Sequence, residues 1–327
     1  MTKAIRFFET GGPEVLRLES VEVGAPGPGQ VRVRHTRIAV NFIDIYFRIG
    51  RYPAPLPAGV GSGLGSDAVG VVEAVGEGVT FLQPGDRVGY MLGPLGAYSE
   101  ARVMPAEVLI KLPDSISDDT ASTLIMKGLT VQYLFRQVYP LKAGDTILYH
   151  AAAGGVGLIA CQWAKALGVT MIGTVGSDEK AAAAKAAGCT HVINYNRENF
   201  AQRVRELTDG KGVPVVYDSV GKDTLMGSLD SLQKKGTLVS NGTSSGPVLI
   251  DTTLLAAKGS LWVTRPAMVD YALPRPNMLK MADELFDLVS KGLIVSEPKQ
   301  RFALADAAEA HRALESRGTI GATILTV

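Results

Sequence analysis

The sequence contains few residues that bind metals and no long apolar run. Its 327 residues include 2 cysteines and 4 histidines, which are widely scattered and show no recognisable zinc-ligand spacing. No apolar stretch approaches the length of a transmembrane helix, and the start MTKAIRFFE lacks the apolar core of a signal peptide. Neither Cys161 nor Cys189 has a C-x-x-C neighbour. We therefore expect two reduced, structural thiols in a cytoplasmic protein without a metal site.

An excess of charge of either sign is also missing. The chain has 33 basic and 32 acidic residues, a formal net charge of +1, so no global basic field attracts nucleic acid or an anionic membrane. The hydrophobic content of 46% and charged content of 20% indicate a large globular core rather than disorder. A chain of this length is typically divided into two domains.

A glycine-rich turn near the middle of the chain predicts a nucleotide site. Thr146–His150 has the pattern of a strand, Val156–Leu167 that of a helix, and Val169–Val175 that of a second strand. Between the first strand and the helix, Gly154 and Gly155 place no side chain between the backbone and a pyrophosphate, and the helix start, at Val156, offers free N–H groups. The first glycine of the G-x-G-x-x-G pattern is Ala152, so a glycine loop without a ligand is the alternative.

The end of the second strand indicates which nucleotide binds. NAD enzymes usually carry a carboxylate there to hold the ribose 2′-OH, but this chain has Gly176. Ser177 and Lys180 follow, and both suit a 2′-phosphate. Asp178 and Glu179 would oppose the phosphate if they faced the ribose, or would lie in the first turn of the next helix. The sequence favours NADPH over NADH.

The pattern before residue 115 is all β, and the pattern after residue 145 alternates between strands and helices. Short strands between glycine and proline turns, such as Gln30–Val40, Ala68–Val75, Ala97–Val103 and Val108–Leu112, indicate a barrel or sandwich. Helices follow, through Ala121–Ile125 and over Gly128–Tyr139. The later elements predict a doubly wound parallel sheet, with Ser219, Ser244 and Gly246 beyond strand ends. They are the strands Thr190–Asn194, Pro214–Ser219, Gly236–Gly242 and Gly259–Thr264, and the helices Asp178–Ala187, Glu198–Thr208 and Asp223–Leu232. Helices over Met278–Lys291 and Ala305–Ser316 and a strand over Ala322–Val327 end the chain.

A short helix from Asn41 to Gly50 holds the second group of candidate residues. Asn41 suits an N-cap, Asp44 occupies the capping-box position and Gly50 suits the C-terminal stop. Asn41 and Tyr46, with Tyr52 close behind, are polar groups in an otherwise apolar region. The residues alone leave two interpretations, a functional one and one in which Asn41 caps the helix and the tyrosines pack.

Taken together, seven stretches resemble the medium-chain dehydrogenase/reductase superfamily, and within it the zinc-independent NADPH:quinone oxidoreductases related to zeta-crystallin. They are GGPEVL (11–16), NFIDIYFRIGRYP (41–53), PGDRV (84–88), KGLTVQYL (127–134), HAAAGGVGLIACQWAKALG (150–168), VVYDSVGKDT (215–224) and GSLWVTRP (259–266). The resemblance implies a GroES-like β-barrel catalytic domain over 1–124 and 267–327. It also implies a Rossmann NADP-binding domain over 125–266.

The chain departs from the zinc alcohol dehydrogenases in this superfamily. Asn41 stands where those relatives have a cysteine ligand, and Ser66 stands where they have a histidine ligand. The four-cysteine structural-zinc lobe is missing as well. The resemblance therefore implies a reaction that needs no zinc.

The resemblance also implies roles for individual residues. Asn41, Tyr46 and Tyr52 would lie near the substrate and act in catalysis. The cofactor would be bound by Phe42, Ile43, Asp44, Tyr46, Tyr133, Gly154, Gly155, Val156, Gly176, Ser177, Lys180, Tyr195, Ser219, Thr243, Ser244, Ser245, Gly246, Arg265, Pro266, Ala267 and Arg317. For Arg317, the sequence alone suggests only a cap at the end of the last helix.

The expected activity is NADPH-dependent reduction of a quinone held in an interdomain cleft. One alternative is reduction of the C=C bond of an α,β-unsaturated carbonyl, which depends more on a proton donor. Another is a nucleotide-modulated RNA-binding or structural protein, which the near-neutral charge disfavours. The resemblance further implies a homodimer joined through the edge of the Rossmann sheet, with Gly259–Thr264 as the edge strand.

Overall fold

The computed structural model describes residues 1–327, which form two compact units. The first unit comprises Met1–Leu129, Pro274–Phe286 and Val295–Val327. The second unit comprises Thr130–Leu273 and Asp287–Ile294. The chain therefore enters each unit more than once.

Sixteen strands and ten α-helices make up the two units. The strands are β1 (Thr2–Phe7), β2 (Arg17–Val21), β3 (Gln30–Val40), β4 (Ser62–Gly63), β5 (Ala68–Val75), β6 (Arg87–Tyr90), β7 (Ala101–Pro105), β8 (Ile110–Lys111), β9 (Thr146–Tyr149), β10 (Thr170–Val175), β11 (His191–Asn194), β12 (Val213–Asp218), β13 (Leu232–Ser240), β14 (Trp262–Thr264), β15 (Pro298–Ala303) and β16 (Ala322–Thr326). The helices are α1 (Phe42–Arg48), α2 (Asp118–Tyr133), α3 (Gly155–Ala166), α4 (Asp178–Ala186), α5 (Phe200–Leu207), α6 (Leu225–Ser231), α7 (Thr252–Ala257), α8 (Met268–Ala272), α9 (Arg275–Ser290) and α10 (Ala307–Glu315).

The first unit is built mainly on antiparallel strands. A seven-stranded sheet runs in the order β15-β16-β3-β5-β6-β8, with β7 paired to β3, and a three-stranded sheet runs β2-β1-β4. In β3, Val31, Val33 and His35 are buried and alternate with more exposed residues, as predicted. Irregular pairing with β5 between His35 and Arg37 then changes which side chains point inward, and Ile38, Ala39 and Val40 are all buried.

The second unit is built on a six-stranded parallel sheet. Its order is β11-β10-β9-β12-β13-β14, and every neighbouring pair is parallel. Numbered within the unit, this is the order 3-2-1-4-5-6 of a doubly wound dinucleotide-binding sheet. The predicted fold class, with an α/β unit of this type, is confirmed. The strand order reverses beside β9, so ligands are expected beyond the carboxyl ends of β9 and its neighbours.

The prediction of two helices between residues 118 and 139 was wrong. A single helix, α2, runs through Gly128 to Tyr133 and continues as a π-helical turn over Leu134–Val138. Glycine does not stop the helix at this point. A Cβ added at Gly128 would lie 2.7 Å from Leu285, so the glycine allows close packing against that side chain.

Several short elements were not predicted, and some boundaries differ. The sequence analysis missed the strand β15 and the short helices α7 and α8. The strand expected over 97–103 begins at Ala101, and the strand expected over 108–112 is reduced to Ile110–Lys111. The strand β8 has 2 residues and the helices α7 and α8 have 6 and 5, too few to show a clear hydrophobic period.

Both cysteines are buried and neither forms a disulfide. The Cys161 thiol lies 3.6 Å from the carbonyl of Ala152, and the Cys189 thiol lies 3.2 Å from that of His191. They therefore act as small core side chains of the second unit. None of the helices has the length and apolar character needed to span a membrane.

Candidate functional site

In the second unit, the glycine turn lies at the carboxyl end of β9 and opens helix α3. Gly154 is the N-cap residue, with an extended backbone (φ −74°, ψ 174°), and no side chain caps the helix. The first turn of α3 contains no acidic residue. Because the first N–H groups of a helix have no partner within it, this end fits a pyrophosphate.

The end of β10 has the shape expected for a phosphorylated ribose. The Ser177 hydroxyl accepts a hydrogen bond from the backbone N–H of Lys180 at 3.2 Å and so caps α4. Tyr195 follows the neighbouring strand β11, and a Cβ added at Gly176 would lie 2.5 Å from its hydroxyl. The fold thus brings Gly176 and Tyr195 together beside Ser177, and the first carboxylate after the strand is that of Asp178.

Asp178, which the sequence left open as an obstacle to phosphate, is held by two partners. Its carboxylate lies 2.5 Å from the Arg197 guanidinium and accepts a hydrogen bond from the Asn194 side chain at 3.0 Å. The ion pair turns this carboxylate toward a cation rather than toward a ribose hydroxyl. Arg197, which the sequence analysis missed, neutralises the charge of Asp178 near this strand end.

The loops after β12 and β13 are tied together. The Ser244 N–H donates to the Ser219 carbonyl at 3.2 Å, and the Ser245 hydroxyl donates to the Val220 carbonyl at 2.8 Å. Gly246 forms a β-bridge with Gly221. Four of the predicted cofactor residues, Ser219 and Ser244–Gly246, therefore lie in one connected structure beyond the sheet.

The remaining predicted residues of the second unit lie near the end of β14 or on α2. The Arg265 guanidinium donates to the Ser240 carbonyl at 2.9 Å, and Pro266 and Ala267 lead into α8. Tyr133, near the end of α2, stacks on Tyr271 with ring centroids 5.2 Å apart. These contacts fix the side chains that follow the last strand.

In the first unit, Asn41 is the N-cap residue of α1, and its side chain also bonds two charged groups. Its Oδ1 accepts a hydrogen bond from Lys127 Nζ at 2.8 Å, and its Nδ2 donates to Asp67 Oδ2 at 3.1 Å. Asp44 completes a capping box with Asn41, because its Oδ2 accepts from the Asn41 backbone N–H at 2.8 Å. The predicted N-cap at Asn41 is confirmed, and its side chain has two charged partners in addition.

A chain of buried polar contacts leads away from Asp44. The Tyr98 hydroxyl donates to Asp44 Oδ2 at 3.0 Å and lies 3.1 Å from His311 Nε2. On the other side of the ring, Arg48 Nη1 lies 3.0 Å from His311 Nδ1, and Arg48 makes a bidentate pair with Glu315. Because an arginine only donates, Nδ1 must accept, and the neutral ring carries its proton on Nε2.

Burial shifts the acid–base properties of this cluster. Burial raises the pKa of Asp44 to about 7, against the opposing hydrogen bonds from Asn41 and Tyr98. Burial likewise raises the pKa of Asp67 to about 6, which Lys127 and Asn41 oppose. Burial lowers the pKa of Lys127, and the negative charges of Asp67 and Asp44 oppose this shift. Perturbed groups of this kind are common at functional sites.

The predicted tyrosines form an aromatic group beside this cluster. The rings of Tyr46 and Tyr52 meet edge to face with centroids 5.5 Å apart, and the Arg51 guanidinium lies 4.7 Å from the Tyr46 centroid. Phe42 lies 6.4 Å from Tyr46, on the same helix as Ile43. Arg317 follows α10 in the same unit, with a left-handed backbone (φ 56°).

The sequence analysis missed Asp67, Lys127, Tyr98 and His311 as members of the site. One signal was available, because Lys127 interrupts an apolar helical stretch, and a lysine there is buried only if it is paired. The others come from separate stretches, and only the folded first unit brings them together. The chain contains no cluster of three or more histidine, cysteine, aspartate or glutamate side chains arranged to hold a metal ion.

A parallel sheet of order 3-2-1-4-5-6 with a glycine turn, in one chain with a unit of antiparallel strands, defines the medium-chain dehydrogenase/reductase class. Comparison with known families agrees. Residues 27–114 match the alcohol dehydrogenase GroES-like domain, and residues 155–284 match the zinc-binding dehydrogenase family.

Individual relatives narrow the class. The chain is 56% identical to a quinone oxidoreductase of Pseudomonas aeruginosa over 99% of both chains. It is 46% identical to a 2-haloacrylate reductase of a Burkholderia species, also over 99% of both. The solved structure of Escherichia coli quinone oxidoreductase complexed with NADPH has a TM-score of 0.96 and 46% identity, covering 99% of this chain and 100% of that one. The chain belongs to the quinone oxidoreductase family of medium-chain dehydrogenases/reductases.

Proposed function

We propose that this protein is an NADPH-dependent quinone oxidoreductase. The observation that carries the proposal is the similarity, over the whole length, to proteins described as quinone oxidoreductases. The E. coli structure in complex with NADPH supports the choice of cofactor. The end of β10, which has no carboxylate facing a ribose, supports the same choice.

The residues of the second unit fit NADPH. Gly154, Gly155 and Val156 would hold the pyrophosphate at the start of α3, and Ser177, Lys180 and Tyr195 would hold the 2′-phosphate, with Arg197 as a further cation. The connected loops at Ser219 and at 243–246, together with 265–267, would bound the nucleotide. When bound, NADPH supplies two electrons and one proton as a hydride.

The residues of the first unit would act on the acceptor. Reduction of a quinone places negative charge on its carbonyl oxygen, which an N–H or O–H donor stabilises. Asn41, Tyr46 and Tyr52 carry such donors. The remaining predicted residues are proposed to contact the cofactor instead, and they are Phe42, Ile43, Asp44, Tyr133 and Arg317.

A second activity, reduction of an activated C=C bond, is favoured by one observation. The 2-haloacrylate reductase of Burkholderia is similar to this protein over its whole length. Comparing oxidation of NADPH and NADH with a 1,4-quinone and with a simple enone separates the two activities. Faster turnover of the quinone with NADPH supports the proposed function, faster turnover of the enone supports the second, and failure with both acceptors contradicts both.

The Lys180→Glu variant tests the phosphate site. We expect the KM for NADPH to rise at least about 10-fold, because a charge-assisted contact is lost and a like charge faces the phosphate. The KM for NADH should stay nearly constant, since NADH has no 2′-phosphate. Lys185→Glu, at an exposed position on the same helix, is the matched control. An equal rise in the KM values for NADPH and NADH would show that Lys180 does not bind the 2′-phosphate.

We also propose a homodimer formed through β14. This strand is at the edge of the parallel sheet, and the Trp262 side chain on it is exposed. An exposed strand edge with a large aromatic side chain favours pairing with a second chain. A monomeric mass in solution by light scattering would contradict this proposal, and loss of the dimer in Trp262→Lys would support it.

A further inference from the structure

The Asn41 carboxamide is held between two groups of opposite charge. Lys127 Nζ donates to its oxygen at 2.8 Å, and Asp67 Oδ2 accepts from its nitrogen at 3.1 Å. Lys127 is 5% exposed and Asp67 is fully buried. If the amide were flipped, its NH2 group would face the ammonium and its oxygen would face the carboxylate. Both contacts would become repulsive in a buried site, so only one orientation is stable.

This orientation leaves one hydrogen-bond donor of Asn41 unassigned. A carboxamide has two N–H donors, and Asp67 accepts from one of them. Asn41 is 8% exposed, whereas Asp67 is fully buried. The N–H side of the amide is therefore the part that the cluster can present to a bound molecule.

Three buried oxygen atoms in this part of the first unit could still accept or donate a hydrogen bond. Asp67 Oδ1, Asp44 Oδ1 and Ser66 Oγ are buried and have no hydrogen-bond partner. Buried polar atoms in native proteins are nearly always paired, so unpaired ones mark a place where water or a ligand belongs. They lie on three residues that surround or adjoin the same amide.

We propose that Asp67 and Lys127 are positioning residues, which fix the Asn41 carboxamide so that its remaining N–H is presented to the carbonyl oxygen of the acceptor. This inference rests on the proposed function and deepens it. A donor fixed in advance loses no interaction energy to reorientation as charge builds on the oxygen. The arrangement selects acceptors that carry a carbonyl oxygen at the reduced centre.

We call this fixed orientation of the Asn41 carboxamide between Asp67 and Lys127 the lock. The charge on Asp67 makes the lock sensitive to pH. The groups that face Asp67 are Asp44 on α1, Lys127 on α2, Tyr90 on β6 and Tyr98. Once protonated, Asp67 no longer favours the N–H side of Asn41 over its oxygen. Because burial raises the pKa of Asp67 to about 6, the lock weakens as pH falls through that value.

Steady-state kinetics of Asp67→Asn, with NADPH and a 1,4-quinone, test the proposal. This substitution keeps the shape but removes the charge. We expect kcat to fall about 10- to 100-fold, as when one oriented donor is lost, with the KM for NADPH unchanged. Any acid limb near pH 6 in the profile of kcat/KM should disappear. Asp114→Asn, at an exposed position in the same unit, is the matched control.

A double-mutant cycle separates positioning from general damage. If Asp67 acts through Asn41, Asp67→Asn combined with Asn41→Ala should be no slower than Asn41→Ala alone. Multiplied losses, or an unchanged kcat in Asp67→Asn, would overturn the proposal. If Asp67→Asn does not fold, Lys127→Met is tested in the same cycle, because it removes the other half of the lock.

An NMR experiment tests the lock without any acceptor. The side-chain amide signal of Asn41, assigned by its absence in Asn41→Ala, should titrate near pH 6 in the wild type and not in Asp67→Asn. A signal that does not titrate overturns the lock even if the protein reduces quinones. A titrating signal in a protein that reduces no quinone supports the lock and rejects the proposed function.

Discussion

Replacing Gly157 with alanine is expected to abolish NADPH binding and to destabilise the second unit. A Cβ at this position would lie 2.3 Å from the carbonyl oxygen of Ala151 and 2.6 Å from the carbonyl carbon of Ala152. Both atoms belong to the backbone of the glycine turn, and Ala151 already has a left-handed conformation (φ 55°). The turn must therefore move away from α3, at a cost of about 1–3 kcal/mol for overpacking.

Two measurements check this expectation. Titration of NADPH should show no saturable binding, and thermal unfolding should begin at a lower temperature. Gly24→Ala is the control, since a Cβ there would meet no atom within 4 Å. Wild-type affinity for NADPH in Gly157→Ala would mean that the geometry of this turn does not govern cofactor binding.

Replacing Arg48 with methionine should destabilise the first unit by about 1–3 kcal/mol, as when buried acceptors lose their hydrogen-bond donor. Arg48 is 1% exposed, and its guanidinium donates hydrogen bonds to Glu315, His311 and the carbonyl of Gly11. Removing it leaves all three groups without this donor. The loss should appear as a lower urea midpoint for the first unit.

Arg312→Met provides the comparison, because Arg312 lies on the same helix as His311 but pairs with Glu309 at the surface. An exposed pair contributes about 0–1 kcal/mol, so this variant should unfold nearly like the wild type. Equal midpoints for the two variants would contradict the importance of the buried arginine.

The buried His311 should also make the first unit less stable in acid. Burial, with the charge of Arg48, lowers the pKa of His311 to about 3 from its ordinary value of 6.5. Between these two values the unfolded chain takes up a proton that the folded chain does not. Stability is therefore lost as pH falls through this window, and it is fully present above it.

Local patterns in the chain predicted most of the second unit. The turn at 152–157 lies between a strand and a helix because glycine and small residues interrupt two apolar runs at the required distance. The boundaries of β10 and α4 differ by no more than one residue from those predicted, Val169–Val175 and Asp178–Ala187. In contrast, two helices were predicted where α2 is continuous, because the packing of Gly128 against Leu285 depends on a residue more than a hundred positions away.

The candidate site was predicted less completely. Gly176, Ser177 and Lys180 are close together in the sequence, so a site for a 2′-phosphate could be predicted from them before the fold was known. The hydrogen-bond partners of the Asn41 side chain could not be predicted from sequence neighbours, because Asp67 and Lys127 come from other elements. The sequence predicted the N-cap at Asn41, which the structure confirms, but it did not predict the two charged groups that hold the carboxamide.

The parallel sheet and its glycine turn could be predicted from neighbouring residues, since short-range periodicity and backbone requirements are local properties of the chain. Through its resemblance to a family, the sequence also indicated the fold of the first part. Only the tertiary structure decided which ionisable groups share a buried environment. The pKa values of Asp44, Asp67, Lys127 and His311 depend on burial and on partners brought from distant parts of the chain.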